Sequence, residues 1–128
     1  MIYIADTHTL LWFLSEDNQL SIRSKQIFEK VESGDGIMVI PTIVLAELMA
    51  LCERKSCKEI YRRIIEKISE GENYNAYALD LNVVKAAENL TSLKDIHDRM
   101  IAATAQILEA PIITRDRIIK KHKVDIIW

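Results

Sequence analysis

Ile37-Met-Val-Ile40-Pro41-Thr42-Ile-Val-Leu-Ala-Glu47-Leu-Met-Ala-Leu-Cys52 is the stretch whose reading decides the fold. Its first four residues form a continuous apolar run, stopped before by Gly34-Asp-Gly36 and after by Pro41. Such a run fits a strand covered on both faces, as strands of parallel sheets are. Thr42 then opens a helix reaching roughly Arg54. A buried strand that turns straight into a helix is the unit of an α/β domain.

The same alternation extends in both directions. Ile2-Tyr-Ile-Ala5 is a short apolar strand closed by Asp6, and Thr9 to Leu14 turns helical. Ser21 caps a helix to about Ser33, with Ile22, Ile27, Phe28 and Val31 on its inner side. Further on, the pattern predicts a helix over Lys58 to Glu70 that Gly71 stops, then a strand from Tyr74 to Leu79. Helices follow over Leu81 to Leu90 and His97 to Glu109. Pro111 to Thr114 is a strand, Arg115 to Lys121 a short helix, and Asp125 to Trp128 a last strand. The expectation is a single α/β domain over residues 1–128, with a central, mainly parallel sheet of about five strands flanked by helices.

The 128 residues are 49% hydrophobic and 28% charged, enough to bury a core and too apolar for a disordered chain. A net charge of -2 removes any global attraction to a polyanion, which has to bind through a local patch or a bound cation. Three glycines leave no Walker loop and no dinucleotide fingerprint, and Gly-x-Ser-x-Gly is absent. Two cysteines, Cys52 and Cys57, supply neither a disulfide framework nor a four-ligand zinc site, and read as reduced apolar filler. Pro41, Thr42 and Glu47 break the longest apolar stretch, and the first residues lack a basic targeting region. A soluble, cytoplasmic protein without a membrane role is expected.

Chemistry enters with four carboxylates. In an open parallel sheet, ligands bind beyond the carboxyl ends of the strands. Asp6 follows the first strand, and Asp116 comes just after the fourth. Glu47 lies in the helix leaving the second strand, and Asp98 opens the helix that feeds the fourth. All four belong to one edge of the sheet. Singly, Asp6, Asp98 and Asp116 are also good helix-capping residues, and Asp95 reads as a cap alone. Glu47 is different, being the only polar residue from Ile43 to Cys52 in what reads as a buried helix. An ionised carboxylate there needs a cation or a distant partner. Clustered acids repel, and oxygen donors with few histidines suit magnesium or manganese.

Four blocks carry a resemblance. Ile4-Ala-Asp6-Thr-His-Thr-Leu-Leu-Trp12, Pro41-Thr-Ile-Val-Leu-Ala-Glu47-Leu, Asp95-Ile-His-Asp98-Arg-Met-Ile-Ala-Ala-Thr-Ala105 and Ile112-Ile-Thr114-Arg-Asp116 resemble the signature blocks of PIN-domain nucleases, VapC-type ribonuclease toxins above all. The closing Val124-Asp-Ile-Ile-Trp128 is similar to the end of one branch of that family. The resemblance implies Mg2+- or Mn2+-dependent hydrolysis of single-stranded or looped RNA, leaving 5′-phosphate and 3′-hydroxyl ends. It implies Asp6 and Asp98 as direct metal ligands, with Glu47 and Asp116 completing the quartet directly or through water. Thr114 would hydrogen-bond an acid or a water. A homodimer and an antitoxin partner whose C-terminal tail covers the site are also implied.

Arg99, Arg115 and Arg117 flank these acids and are candidates for holding the RNA backbone, or else solvated surface. His8 and His97 beside the acids fit packing or support better than metal ligation. Trp12, Phe13 and Trp128 read as core, and Ile60, Ile64, Ile65 and Ile68 as core or dimer interface. The basic residues Arg54, Lys55, Lys58, Arg62, Arg63 and Lys67 make a solvated face or an RNA funnel. Rival readings remain. A haloacid-dehalogenase-type phosphatase would want a second Asp where His8 stands. A phospho-receiver or binding domain using Asp6 and Asp80 leaves Glu47 and Asp98 unexplained. A nuclease of RNA maturation or decay, without an antitoxin, stays open.

Overall fold

A computed structural model describes residues 1–128, the side chain of Lys121 excepted. Five parallel strands form one sheet: β1 (Ile2–Ala5), β2 (Ile37–Pro41), β3 (Tyr74–Tyr77), β4 (Ile112–Ile113) and β5 (Ile126–Ile127). Their order is β3-β2-β1-β4-β5, so the chain builds outward from β1 in one direction and then returns to its other side. The switch in direction falls between β1 and β4, where open parallel sheets place their ligand crevices. The sheet core is Ile4, Met38, Ile40, Tyr74, Ile112 and Ile113, all fully buried.

Six α-helices cover the sheet: α1 (Thr7–Leu14), α2 (Ile22–Glu32), α3 (Thr42–Arg54), α4 (Lys58–Glu70), α5 (Leu81–Ala87) and α6 (Ile96–Leu108). Their ends follow local chemistry. Ser21 accepts the Ser24 N–H to start α2, and Gly71 closes α4 in the left-handed region at φ 71°. α3 packs on α1, α4 and α6, which brings its first turns over the carboxyl edge of the sheet. None of the described helices is long and apolar enough to cross a membrane.

Several expected elements differ in extent. α1 begins two residues earlier, at Thr7, because Asp6 itself caps it. β3 stops at Tyr77, and α5 ends at Ala87 rather than Leu90. In place of a helix over Arg115 to Lys121, a 3-10 turn spans Ile119–His122. Ile22, expected on the inner side of α2, is 80% exposed, while Ser24 is buried in the first turn. Of the isoleucines on α4, Ile60 and Ile64 are buried in the core and Ile68 packs against that core, whereas Ile65 is half-buried and outside it.

The largest correction concerns α3. It is half-buried, not buried all round: Val44, Leu48, Leu51 and Cys52 face inward, whereas Ala46, Met49 and Ala50 are exposed. An apolar helix with an apolar outer face deceives a hydropathy argument, because small and apolar residues also occupy solvent-facing positions. Glu47 lies between those two faces, partly buried.

Candidate active site

Asp6 stands immediately beyond β1. Its Oδ1 accepts the Thr9 N–H at 2.9 Å and lies 2.7 Å from the Thr9 hydroxyl, which also approaches the Ile113 carbonyl at 3.0 Å. Thus the cap of α1 ties β1 to β4 at the switch point. Burial raises the Asp6 pKa, and the Thr114 hydroxyl, the Thr9 groups and His8 oppose that rise. Thr114 is fully buried and accepts the Asp116 N–H at 3.0 Å. With its oxygen engaged there, its proton is free to point to Asp6.

Asp116 follows in the loop after β4, where its own Oδ1 accepts the Ile118 N–H at 2.9 Å. Asp98 sits in the first turn of α6, capped by Asp95, whose Oδ1 accepts from the N–H groups of His97 and Asp98. Asp95 is therefore a cap, as its sequence context suggests. Burial disfavours its charged form, but those backbone donors and His97 outweigh it and hold the Asp95 pKa below normal.

Asp98 reports how close the acids come to one another. Its carboxyl is pushed up to about 6, first by desolvation and then by the charges of Asp95, Asp116, Asp6 and Glu47. Asp6, Asp98, Thr114 and Asp116 share the wall of one pocket of about 270 Å³ with His8, Thr9, Trp12 and Arg115. Glu47 lies outside that wall. Its carboxylate accepts the Thr7 hydroxyl and stands 3.8 Å from His97 Nδ1, which is itself 3.3 Å from Asp95 Oδ1. The distant partner that Glu47 requires is thus Thr7 together with His97.

Among the described residues, none of these four carboxylates forms an ion pair with a lysine or arginine. Nor do three His, Cys, Asp or Glu side chains already stand at the spacing of a coordination sphere. The acids share an electrostatic field rather than a closed chelate, as unscreened like charges should. Their donor chemistry fits a hard cation: oxygen only, multiply negative, and not neutralised by a lysine or arginine ion pair among the described residues.

The three flanking arginines separate cleanly. Arg99 turns inward, donating from Nη2 to the carbonyls of Ala87 at 2.9 Å and Glu88 at 3.4 Å, so it fastens the end of α5 to α6. Arg117 is exposed and off the pocket wall. Arg115 lines the pocket, its guanidinium 4.8 Å over the Trp12 ring. Trp12 is buried, as expected of a core residue, yet one surface of it meets the pocket. Asp80 caps α5 through the Val83 N–H. Sequence reasoning missed Thr7 and Thr9 as supports of the acids. Their signal is hydroxyls beside Asp6 in the first turn of an otherwise apolar helix.

No curated protein matches the sequence. The fold is similar to a chain of the VapBC2 complex from Rickettsia felis, solved with a DNA fragment from its promoter. That pair has a TM-score of 0.75 at 17% identity, covering 99% of this chain and 98% of the other. A chain of FitAcB from Neisseria gonorrhoeae aligns with TM-score 0.67 and 19% identity, over 100% and 97% of the two chains. VapBC-1 from nontypeable Haemophilus influenzae gives 0.64 and 19%, over 99% and 97%. The family profile of the PIN domain matches residues 3–124, nearly the whole chain, and with that match the chain belongs to the PIN-domain family of nucleases.

Proposed function

We propose that this PIN domain is a divalent-metal-dependent ribonuclease and the toxin of a toxin–antitoxin pair. One observation carries the chemistry: Asp6, Asp98 and Asp116 line one pocket, and none of them, nor Glu47, forms an ion pair with a lysine or arginine among the described residues. Asp6, Glu47, Asp98 and Asp116 would hold Mg2+ or Mn2+. When bound, the cation supplies Lewis acidity to phosphate and water and neutralises the polyanion.

The remaining work falls to the chain. Thr114 orients Asp6, and Thr7 with His97 holds Glu47 toward the others. Water attacks phosphorus in line, the P–O3′ bond breaks, and the departing 3′ oxygen takes a proton. The products are 5′-phosphate and 3′-hydroxyl ends. No side-chain nucleophile is required.

The toxin reading is supported by the solved relatives, which are VapBC and FitAB complexes. An antitoxin partner follows by analogy with them. Leu79, Leu81, Val84 and Ile96 are exposed apolar residues around the starts of α5 and α6, and they support a homodimer better than the buried isoleucines of α4 do. A cytoplasmic location is consistent with an RNA substrate.

The test is cleavage of an end-labelled structured RNA with Mg2+, Mn2+ or EDTA, beside an Asp98→Asn preparation. Metal-dependent cuts with 5′-phosphate ends, absent from the variant, are expected. Cutting that persists in EDTA or in Asp98→Asn refutes the site.

A further inference from the structure

We infer that Arg115, seated on the Trp12 ring at the wall of the carboxylate pocket, receives an RNA phosphate beside the one that is cut. The inference rests on the ribonuclease reading and gives that site its anchor for the substrate backbone.

A pocket lined by Asp6, Asp98 and Asp116 repels a phosphodiester chain, and a cation at the metal site offsets this only at one phosphate. The neighbouring phosphates need their own positive contact. Arg115 is the one arginine or lysine on the described pocket wall. A guanidinium among carboxylates would ordinarily pair with them. Here it forms no ion pair among the described residues and lies instead 4.8 Å over Trp12. The ring face attracts the cation without taking up its N–H donors, and Arg115 is exposed and makes no side-chain hydrogen bond among the described residues. A planar guanidinium with free donors matches the two oxygens of a phosphate.

Its seat is firm. Trp12 is only 6% exposed, wedged edge-on against Trp128 at 5.9 Å and tilted against His8 at 5.7 Å. A ring so buried has no free face for a base. Trp12 is therefore a positioning residue, holding Arg115 away from the acids so that they stay available to a metal. The other two arginines lack this geometry, since Arg99 is engaged by backbone carbonyls and Arg117 is off the wall.

The experiment measures binding of a fluorescein-labelled single-stranded RNA oligonucleotide to the Asp98→Asn protein in Mg2+, across a salt series. In this background Arg115→Ala should weaken binding about tenfold and lower the salt slope by about 0.7, the signature of one lost phosphate contact on a single strand. Arg115→Lys should keep the slope and regain only part of the affinity. Arg117→Ala, an exposed arginine two positions away, should match the parent. An Arg115→Ala protein that binds as the parent does overturns the assignment. So does an equal loss in Arg117→Ala, which would mean diffuse charge. Absence of metal-dependent RNA cleavage by the unsubstituted protein would strike the ribonuclease reading itself, and is distinct from either result.

Discussion

The hydroxyl of Thr7 donates to the carboxylate of Glu47, joining the first turn of α1 to the second turn of α3 across 40 positions of sequence. Thr7 is buried and directly follows Asp6, so one dipeptide supplies an acid to the pocket and a tether to another acid. Replacing the hydroxyl by a methyl of similar volume should unfasten Glu47 without opening a cavity. Thr7→Val is expected to lose about tenfold in activity and roughly 1.5 kcal/mol in stability, the low end of the worth of a hydrogen bond to a charged partner. Denaturant unfolding and RNA cleavage on the same preparation check both. Thr7→Ser, which keeps the donor, should restore most of the activity.

Asp98→Asn should abolish cleavage and at the same time stabilise the protein near neutral pH. Asp98 titrates at about 6 in the fold against 3.8 as a free side chain, so between those values the folded chain holds the extra proton. Stability therefore falls as pH rises through that window, and the penalty is complete above it and absent below it. Asp6, also raised by burial, acts in the same sense. Discounted for the water that still reaches Asp98, the relief is on the order of 1 kcal/mol. Melting curves of both proteins should coincide near the acid end of the window and separate toward neutrality. A variant less stable than the parent at neutral pH would contradict the cluster.

Much of this arrangement was legible in the sequence, and for a topological reason. A parallel sheet sends every strand's carboxyl end to one edge, and a helix feeding a parallel strand must start at that edge. Asp6, Asp98 and Asp116 follow from that rule once the strands are found. Ile2–Ala5, Ile37–Pro41 and the helices Thr42–Arg54 and Lys58–Glu70 were readable because apolar runs, Pro41 and Gly71 mark them locally. The partners of the acids were not readable. Thr7 meets Glu47, and Arg99 reaches Ala87, through tertiary contacts that leave no periodic trace. The half-exposed state of α3 was hidden because Ala46, Met49 and Ala50 look like core in a string of letters. The loop after β4 was misread as a helix, since Thr114 and Asp116 use their side chains on local N–H groups instead of continuing a ladder.

Arg99 offers a contrast between structural and substrate arginines. Its Nη2 satisfies two carbonyls at the end of α5, and its Nε is buried without a partner among the described residues. Arg99→Ala removes both contacts while the Ala87 carbonyl keeps the Leu90 N–H, and should cost about 1 kcal/mol in stability. At a temperature where the variant is folded, RNA affinity and its salt slope should stay near the parent's. A variant of normal stability with a reduced salt slope would assign Arg99 to the substrate instead.

Metal should report on the carboxylates without any substrate. A cation that binds the folded chain alone stabilises it by mass action, about 2.7 kcal/mol at a hundred times Kd, which is roughly 10 °C for a domain of this size. Thermal melts are expected to rise from EDTA to Mg2+ or Mn2+, each of which adds two positive charges to the site. The size of the rise depends on four separate segments meeting, since Asp6, Glu47, Asp98 and Asp116 come from α1's cap, α3, α6 and the loop after β4. Asp98→Asn, already relieved of its repulsion, should gain little from metal, whereas Arg115→Ala, whose side chain lies on Trp12, should gain as much as the parent. Equal metal responses in the Asp98→Asn protein and the parent would remove Asp98 from the cation site and leave its raised pKa as a consequence of crowding alone.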